Sequence, residues 1–597
     1  MARLSEKDFD QLALDGCDMV VYEDGSTLRY DVAGYDRIPR REMSPQQLSL
    51  RRTVATPMSP TPVQARFNDQ PYIIRLGGFR RGQIFAPDEV GEKFRGLGIA
   101  FNDSLGNGIY ESLLINRKYG LRQAFESPSK GFPFPYFEEE IANYSSQYEQ
   151  YVDEFLTRFA ELDSVYGERL IGEDVTMVIF ALGDTPLGIF HRAYQRAPEA
   201  LRTEMEKRFG ISLPPINPQT PEDRLALSRF WKFIWAKHAR ILGIRVAAMR
   251  KKIGAGLMAI GNFHELPYMD QELLGSIYDY PAVAVRPLLL EDEFLIRHYT
   301  AYWTQLTYNL SGKPPMVSIR NTLSAAGSRF IPNDDLNRQW YDQAVRHGAG
   351  AFYLWTRDYP MDLHDPYDGP IIGNPAAETL PLVRWQANLS ALGLLSVRQR
   401  FIPPTAQVGI LVPLQSAWMN RQAWRRIYST FSAAAEIKVQ THFLSDHQLE
   451  LSGVPETIRL LLVPELEFLS TELRFALKTF IQRGGMLCMH EKSIFDSQAN
   501  PAAPIRNAQK LDNAVSNLFL LDQATTEADF QSAADEVDRL VVESGADPKS
   551  WIFDITCENL PPSSSTWLRK KNPSIEFRAW LYEHGSDWIY PFIKDPI

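Results

Sequence analysis

The sequence lacks the features that mark several common functional classes. Its three cysteines, Cys17, Cys488 and Cys557, lie far apart and form no C-x-x-C or zinc pattern. No apolar run approaches the ~18–20 residues that span a bilayer, and no apolar signal segment opens the chain. The net charge of −10 argues against a nucleic acid or an anionic membrane surface as partner. These absences predict a cytoplasmic protein with neither kind of partner.

Residues 405–500 predict a doubly wound, flavodoxin-like domain. Continuous apolar strands alternate there with helices, which is typical of a parallel sheet covered on both faces. No glycine-rich phosphate loop follows the first strand, and the turn at residues 414–418 offers no nucleophile with a paired base. An assembly role is therefore favoured for this domain, and any chemistry is expected upstream. The predicted strands are residues 407–413, 438–442, 458–464 and 486–489, and the predicted helices are residues 421–435 and 471–483.

Residues 1–400 predict a (β/α)8 TIM barrel. Short apolar strands there repeatedly end in polar or charged residues, and a barrel of this kind builds its active face at the carboxyl ends of its strands. Roughly seven such strands, including residues 17–22 and 274–278, precede residue 360, whereas a barrel has eight. The chain starts inside the first predicted helix, so the missing strand is expected at a truncated N-terminus. Residues 510–597 predict a mixed, β-rich C-terminal segment that ends in a hairpin.

Several segments carry motifs of one known family. Residues 347–357 end in Leu-Trp-Thr-Arg, residues 276–281 read Ser-Ile-Tyr-Asp-Tyr-Pro, and residues 313–317 read Lys-Pro-Pro-Met-Val. Together with residues 407–413 and 458–489, they resemble family 42 glycoside hydrolases, the trimeric β-galactosidases. The first three segments are similar to the eighth, sixth and seventh barrel strands of that family, and the last two to its trimerisation domain. The resemblance implies a carbohydrate substrate and a homotrimer. No cofactor and no metal are predicted.

The two catalytic glutamates of that family are missing from their expected positions. The fourth strand leads into Asp184 and Thr185, with Thr185 where the acid/base glutamate is expected. The seventh strand leads into Arg320 and Asn321, where the nucleophile is expected. A retaining glycosidase needs two carboxyl groups ~5–5.5 Å apart, and neither threonine nor arginine supplies one. The mechanism of the family therefore does not carry over unchanged.

Other carboxylates near strand ends are candidates for the chemistry. Asp184 is the predicted proton donor, although an aspartate before a helix also serves as a cap. Asp279 is a candidate nucleophile, base or hydroxyl ligand, or else a turn residue. Glu265 lies beside His264, and such a pair can be tuned as a general base. Asp103 is a further candidate partner for Asp184.

The predicted sugar-binding groups combine an aromatic face with fixed hydrogen-bond donors. Trp355 offers a flat apolar surface to a pyranose, unless it plugs the barrel, and Arg357 offers a planar donor fork. Arg320 suits an anionic substrate such as a uronic acid, or else pairs with a neighbouring aspartate. The full set of predicted substrate-binding residues is Asp103, His264, Arg320, Asn321, Trp355, Arg357, Asp358 and His364.

The sequence favours a glycoside hydrolase with non-standard catalytic carboxylates, because several ionisable strand ends offer other ways to assemble a carboxylate pair. The alternative is a catalytically inactive glycan-binding or assembly member of the same superfamily, which the loss of both glutamates favours. A metal site is a further alternative in the loop after the eighth strand. Its ligands would be Asp358, Asp362, His364 and Asp365, whose spacing fits loop turns equally well.

Overall fold

A computed structural model describes elements of the N-terminal half and most of residues 403–548. The described N-terminal residues are 19–21, 27–29, 73–77, 100–102, 122–126, 138–166, 175–179, 199, 203 and 207. The remaining described residues are 218–254, 257–261, 270–285, 293–319, 323–325, 328–330, 334–355, 403, 405–418, 420–492, 494–520 and 525–548.

The first large sheet has eight strands, and every neighbouring pair is parallel. Its strand order is β5-β4-β3-β2-β1-β8-β7-β6, so neighbours in the sheet follow the order of the chain. These strands are β1 (Ile73–Gly77), β2 (Ala100–Asn102), β3 (Arg122–Glu126), β4 (Val175–Ile179), β5 (Met258–Ile260), β6 (Ala282–Val285), β7 (Met316–Ile319) and β8 (Ala351–Trp355).

The two ends of this strand order also meet. Ile260 at the end of β5 forms a parallel bridge with Tyr280, two residues before β6. The Gly261 N–H donates to the Tyr280 carbonyl over 2.9 Å, and the Asp279 N–H donates to the Ala259 carbonyl over 2.9 Å. The strands therefore follow one another around a ring.

Residues alternate between the two faces of this ring. One cluster, on what we call the inner face, contains Ile260, Ala282, Ala284, Met316, Ala351 and Tyr353. The residues between them, such as Val283, Val317 and Phe352, belong to the large cluster shared with the surrounding helices. Burial on both faces explains why these strands read as continuous apolar runs.

Two long helices dominate the described helical part of this half. They are α1 (Glu138–Tyr166) and α2 (Pro221–Ile253). Thr220 and Asp223 form a reciprocal capping box at the start of α2, with Pro221 in the first turn, where a missing N–H costs no intrahelical bond. The Arg245 Nε on α2 donates to the Tyr144 hydroxyl on α1 over 2.7 Å.

The structure corrects three strand predictions. Residues 274–278 are not a strand, because α3 (Gln271–Gly275) and a turn occupy them. Residues 17–22 contribute a strand that pairs antiparallel with Thr27–Arg29, in a two-stranded sheet separate from the ring. All eight strands of the ring lie between Ile73 and Trp355, and the sequence analysis predicted neither β3 nor β6, the second of which replaces the strand expected at residues 274–278.

The second sheet has five parallel strands in the order β10-β9-β11-β12-β13. The second strand in the chain lies at one edge, beside the first, and the third, fourth and fifth strands follow in order. This arrangement is typical of doubly wound sheets. The predicted strands and helices of this region are present, except that the strand predicted at residues 438–442 begins three residues later, at Thr441. Gly484 has the positive φ of +91° suited to the end of a helix. The elements are β9 (Val408–Val412), α7 (Arg421–Glu436), β10 (Thr441–Ser445), α8 (Asp446–Ser452), β11 (Leu460–Val463), α9 (Thr471–Gln482), β12 (Met486–Met489) and β13 (Gln509–Lys510).

The two sheets are joined through α5 (Tyr299–Ser311), the second of two helices, after α4 (Glu293–Arg297), that follow β6. The Gln305 Nε2 donates to the Thr441 carbonyl on β10 over 2.7 Å. The ring of Tyr302 packs against Tyr428 on α7, 4.8 Å between centroids, and against Phe443 on β10, at 5.6 Å. This interface is buried, so the second sheet packs directly on the helical layer of the first.

Past β13 the described chain is helical. Helix α10 (Glu527–Ser544) begins with a capping box and ends at Gly545, whose φ is +66°. The hairpin predicted near the C-terminus lies outside the described residues. Between β7 and β8 lie a small hairpin, Leu323–Ala325 with Ser328–Phe330, and α6 (Asp334–Arg346). None of the helices within the described residues is both long and apolar enough to cross a membrane.

Candidate active site

The carboxyl ends of the eight ring strands gather polar and aromatic residues at one edge. Trp355 at the end of β8 pairs with Gly77 of β1, which pairs with Asn102 of β2. Glu126 at the end of β3 pairs with Ile179 of β4. Because parallel strands share one direction, these terminal residues line the same edge, where barrels of this kind hold their active sites.

Most of the residues predicted for the site lie in the segments between strands. Trp355 is the last residue of β8, as predicted for a group at the active edge. In the chain, Asp103 immediately follows β2 and Arg320 immediately follows β7. The predicted residues outside the described part of the chain are Asp103, Asp184, His264, Glu265, Arg320, Asn321, Arg357, Asp358 and His364.

Asp279 does not lie at the carboxyl end of a strand, which corrects its predicted position. It precedes β6, at the end of the ring opposite to the candidate site. Its Oδ2 accepts from the Arg250 guanidinium and from the Ala259 N–H, each over 2.7 Å. These contacts tie the end of α2 to β5 and to the approach to β6, so the geometry gives Asp279 a structural role.

Glu126 ends a strand at the carboxyl edge of the ring, and the sequence prediction missed it. It ends β3, whose first residues, Arg122 and Gln123, break the apolar pattern used to find strands. The signal that could have found it is the spacing along the chain. A strand is needed between β2 and β4, and Glu126 is followed by Ser127 and Pro128, which favour a turn.

The described inner face carries three alanines beside larger apolar residues, and it holds the Ser318 hydroxyl. Ala282, Ala284 and Ala351 are all buried there. Ser318 on β7 pairs with Ala284 and is 0% exposed, and its Oγ has no hydrogen-bond partner among the described residues. A buried hydroxyl without a hydrogen-bond partner costs stability.

The second sheet uses its buried charged groups in structural contacts. Glu465, 0% exposed, lies after β11 and bridges Arg426, at 2.5 Å, and the Lys492 ammonium. Asp446 accepts from the N–H groups of Leu414 and Gln415, each over 3.1 Å, and burial raises its pKa to about 7. The region was predicted to favour assembly over chemistry, and these contacts use its carboxylates to hold loops together.

A second set of polar contacts ties the second sheet to the segment after β5. Glu272 on α3 accepts from the Ser445 hydroxyl over 2.7 Å and contacts the His447 Nδ1 at 3.0 Å. The bond to Glu272 raises the pKa of His447. Burial alone would raise the pKa of Glu272, but the hydrogen bonds from His447 and Ser445 hold this pKa below its ordinary value. In the sequence, α3 directly follows the segment that carries His264 and Glu265, so this ion pair anchors one end of a candidate active-site loop.

No arrangement typical of a metal centre is found among the described residues, where no three histidine, cysteine, aspartate or glutamate side chains come together. The alternative metal loop at residues 358–365 lies outside them.

Comparison with known proteins identifies the fold. No model of a protein family matches the sequence, and no curated protein does. Among solved structures, a cold-adapted β-galactosidase from a Rahnella species is 13% identical, with a TM-score of 0.53, over 72% of this chain and 73% of that one. A β-galactosidase from Halorubrum lacusprofundi is 13% identical, with a TM-score of 0.54, over 72% and 75% of the two chains. A catalytic mutant of a GH42 β-galactosidase from G. stearothermophilus is 13% identical, with a TM-score of 0.52, over 73% and 74%.

These similarities confirm the predicted resemblance at the level of fold. The chain shares the fold of family 42 β-galactosidases over nearly three quarters of its length, at an identity that indicates wide divergence. The similar solved structures imply a TIM barrel, in agreement with the ring of eight parallel strands.

Proposed function

We propose that this protein is a glycoside hydrolase-like protein that acts on a glycosidic bond at the carboxyl edge of its barrel. The observation that carries the proposal is the similarity in fold to a solved β-galactosidase over 72% of the chain, which agrees with the eight-stranded parallel ring. Asn102, Glu126 and Trp355 end three strands of that ring. An aromatic face beside a carboxylate and an amide suits a sugar, whose apolar ring face stacks while its hydroxyls accept and donate hydrogen bonds.

The proposed mechanism keeps Asp184 as the proton donor. Its partner carboxylate is drawn from Glu265, Asp103 and the newly located Glu126, whereas Asp279 is withdrawn because of its position. A nucleophilic partner would lie about 5–5.5 Å from Asp184, and a base that activates water would lie about 6.5–9.5 Å away. The separation of the two carboxylates therefore decides between retention and inversion of the anomeric centre.

The remaining predicted residues would bind the substrate. Trp355 follows Ala351 and Tyr353 in the alternation of β8, which places it at an inner-face position of the active edge. Arg357, Asp358 and His364 lie within the nine residues that follow it in the chain and would contact sugar hydroxyls. His264, Arg320 and Asn321 would approach the same edge from the segments after β5 and β7.

The second candidate function is a catalytically inactive glycan-binding or assembly protein of the same fold. It is favoured by Thr185 and Arg320, which occupy the sequence positions where the family resemblance expects its two glutamates. Both candidates bind carbohydrate, and they differ in whether a glycosidic bond is cleaved.

A screen that records binding and product release on one panel of glycosides separates the two functions. The enzyme is expected to release a sugar from at least one glycoside, and the Asp184→Asn variant should lose that activity by roughly 100-fold or more while still binding. Binding across the panel without release by the wild-type protein would establish the inactive alternative. Turnover that survives Asp184→Asn would remove Asp184 from the mechanism.

The full architecture that we propose is a (β/α)8 barrel over residues 1–400, a doubly wound trimerisation-type domain over residues 405–500, and a small C-terminal segment. The protein is further proposed to be a cytoplasmic homotrimer. Light scattering on the purified chain tests the assembly, because a monomeric mass would contradict it.

A further inference from the structure

A groove between α8 and α9 opens on the surface of the second sheet's helical layer. It encloses about 570 Å³, which is within the range of sites that hold an inserted group of drug-like size. We call it the α8–α9 groove. Its buried lining is apolar and consists of Leu449, Val454, Ala476 and Phe480.

Two large apolar side chains that line the groove are exposed. Leu451 at the end of α8 is 72% exposed, and Phe475 in the middle of α9 is 71% exposed. Exposed apolar surface that adjoins a recess of the same character marks an interaction site more often than isolated surface residues do. An outward-facing aromatic ring and an apolar recess therefore lie side by side on one patch.

The charges around the groove are divided between the two ends of α9. Glu472 lies in its first turn, and Glu450 of α8 accepts from the Ser470 hydroxyl at the cap of α9 over 2.6 Å. Lys478 and Arg483 are exposed towards the other end of the helix. Glu472 and Lys478 are six residues apart, about 9 Å along the axis, so they are not neighbours within the helix. The patch thus has an acidic end and a basic end.

This patch is complementary to a second copy of itself. Phe475 lies three residues from Glu472 on one side and three residues from Lys478 on the other. A two-fold axis close to Phe475 would set two copies of α9 antiparallel, with the acidic end of each against the basic end of the other. A two-fold contact uses the same patch on both subunits, so the patch must carry both the inserted group and its recess. Phe475 and the α8–α9 groove meet that requirement.

We propose that the α8–α9 groove is a contact surface between two copies of this chain, related by a two-fold axis, and that Phe475 of each copy fills the groove of the other. Aromatic side chains seated in pockets contribute most of the affinity of many protein interfaces. The opposite charges at the two ends favour the antiparallel orientation over the parallel one. The contact is additional to the proposed homotrimer, since it joins trimers into hexamers and single chains into dimers.

The mass of the full chain in solution tests the contact. Sedimentation from about 1 to about 100 µM should show dimers or hexamers that dissociate on dilution into monomers or trimers. Phe475→Asp should weaken this association about 100-fold or more, because it removes the ring and brings a charge to the apolar groove on both sides of the axis. Leu451→Asp should weaken it as well. Val542→Asp replaces an equally exposed apolar side chain on α10, so it is the matched control and should leave the association unchanged.

Charge variants test the antiparallel orientation. Glu472→Lys makes both ends of the patch basic and Lys478→Glu makes both ends acidic, so each variant alone should associate about fivefold more weakly at low salt. A mixture of the two variants should recover the association, because a basic patch then meets an acidic one. The double variant with both charges exchanged should also associate like the wild-type protein. All these side chains are exposed, and circular dichroism checks that each variant is folded.

Defined outcomes would overturn the proposal. A wild-type mass of a monomer or a trimer at every concentration would exclude the two-fold contact and leave the groove to a different protein or to another segment of the chain. An association that Phe475→Asp does not weaken would place the contact elsewhere. Single charge variants that associate as well alone as in the mixture would rule out the antiparallel orientation.

Discussion

Substitution of Asp279 separates a structural carboxylate from a catalytic one. Both oxygen contacts of Asp279, to Arg250 and to the Ala259 N–H, measure 2.7 Å. The ion pair is more than a third exposed on both sides, so solvent screening limits it to about 0.5–1 kcal/mol. The hydrogen bond from the buried Ala259 N–H to a charged acceptor adds about 1.5 kcal/mol.

These magnitudes predict graded losses of stability. Asp279→Asn keeps an acceptor for the backbone N–H and loses the ion pair, so the free energy of unfolding should fall by about 0.5–1 kcal/mol. Asp279→Ala loses both contacts and should cost about 2 kcal/mol. Urea unfolding measures both values. Asp153→Asn, which breaks the exposed contact of Asp153 with Lys252, is the matched control and should cost less than about 0.5 kcal/mol.

Activity provides the decisive half of the Asp279 experiment. At a temperature where both variants are folded, turnover of a cognate glycoside should stay within about twofold of the wild-type rate, because Asp279 precedes β6 at the far end of the barrel. A loss of a hundredfold or more in Asp279→Asn, with stability unchanged, would refute this reasoning and return Asp279 to the catalytic residues.

Three further predictions test contacts within the described residues. Glu465→Gln, between two cations and fully buried, should lower the free energy of unfolding by about 3 kcal/mol in denaturant titrations. Gly348 has a φ of +103° and lies against a tyrosine ring, so Gly348→Ala should lower the free energy of unfolding by at least about 2 kcal/mol. Its control is Gly243→Ala in the middle of α2, where no atom lies near the added methyl group, and this change should be neutral or stabilising. Because the pKa of His447 is raised, its ion pair stabilises the fold below about pH 6.5, and this contribution is lost as the pH rises. Because the pKa of Glu272 is lowered, its contribution is present above about pH 4.5 and is lost as the pH falls. The difference in melting temperature between wild type and His447→Gln should therefore be largest between about pH 4.5 and 6.5, and a flat difference would contradict the ion pair.

Much of the fold could be predicted because buried parallel strands carry a strong local signal. The runs around Val408–Val412 and Leu460–Val463 are apolar at every position, since both faces of the sheet are covered. Strand β3 escaped prediction because Arg122 and Gln123 interrupt such a run. Residues 274–278 were wrongly predicted as a strand because a short apolar run fits a helix or a strand equally well. The helix α3 forms there because the Asp270 side chain caps it by accepting from the Leu273 N–H.

The candidate site was harder to predict than the fold, because a residue belongs to it only if it lies at the carboxyl end of a strand. Asp279 looked like a strand-end carboxylate only while residues 274–278 were taken as a strand, and the shift of that strand to Ala282–Val285 moved it to the opposite edge. Contacts such as that of Glu272 with His447 join residues 175 positions apart, which local patterns do not reveal.

The location of a bound sugar tests the central claim most directly. A crystal structure of the protein soaked with the tightest-binding sugar should show it at the carboxyl edge of the eight strands, stacked on Trp355 and within reach of Asn102 and Glu126. A sugar bound instead to the second sheet or to the outer helices, with the barrel edge empty under saturating conditions, would contradict the account.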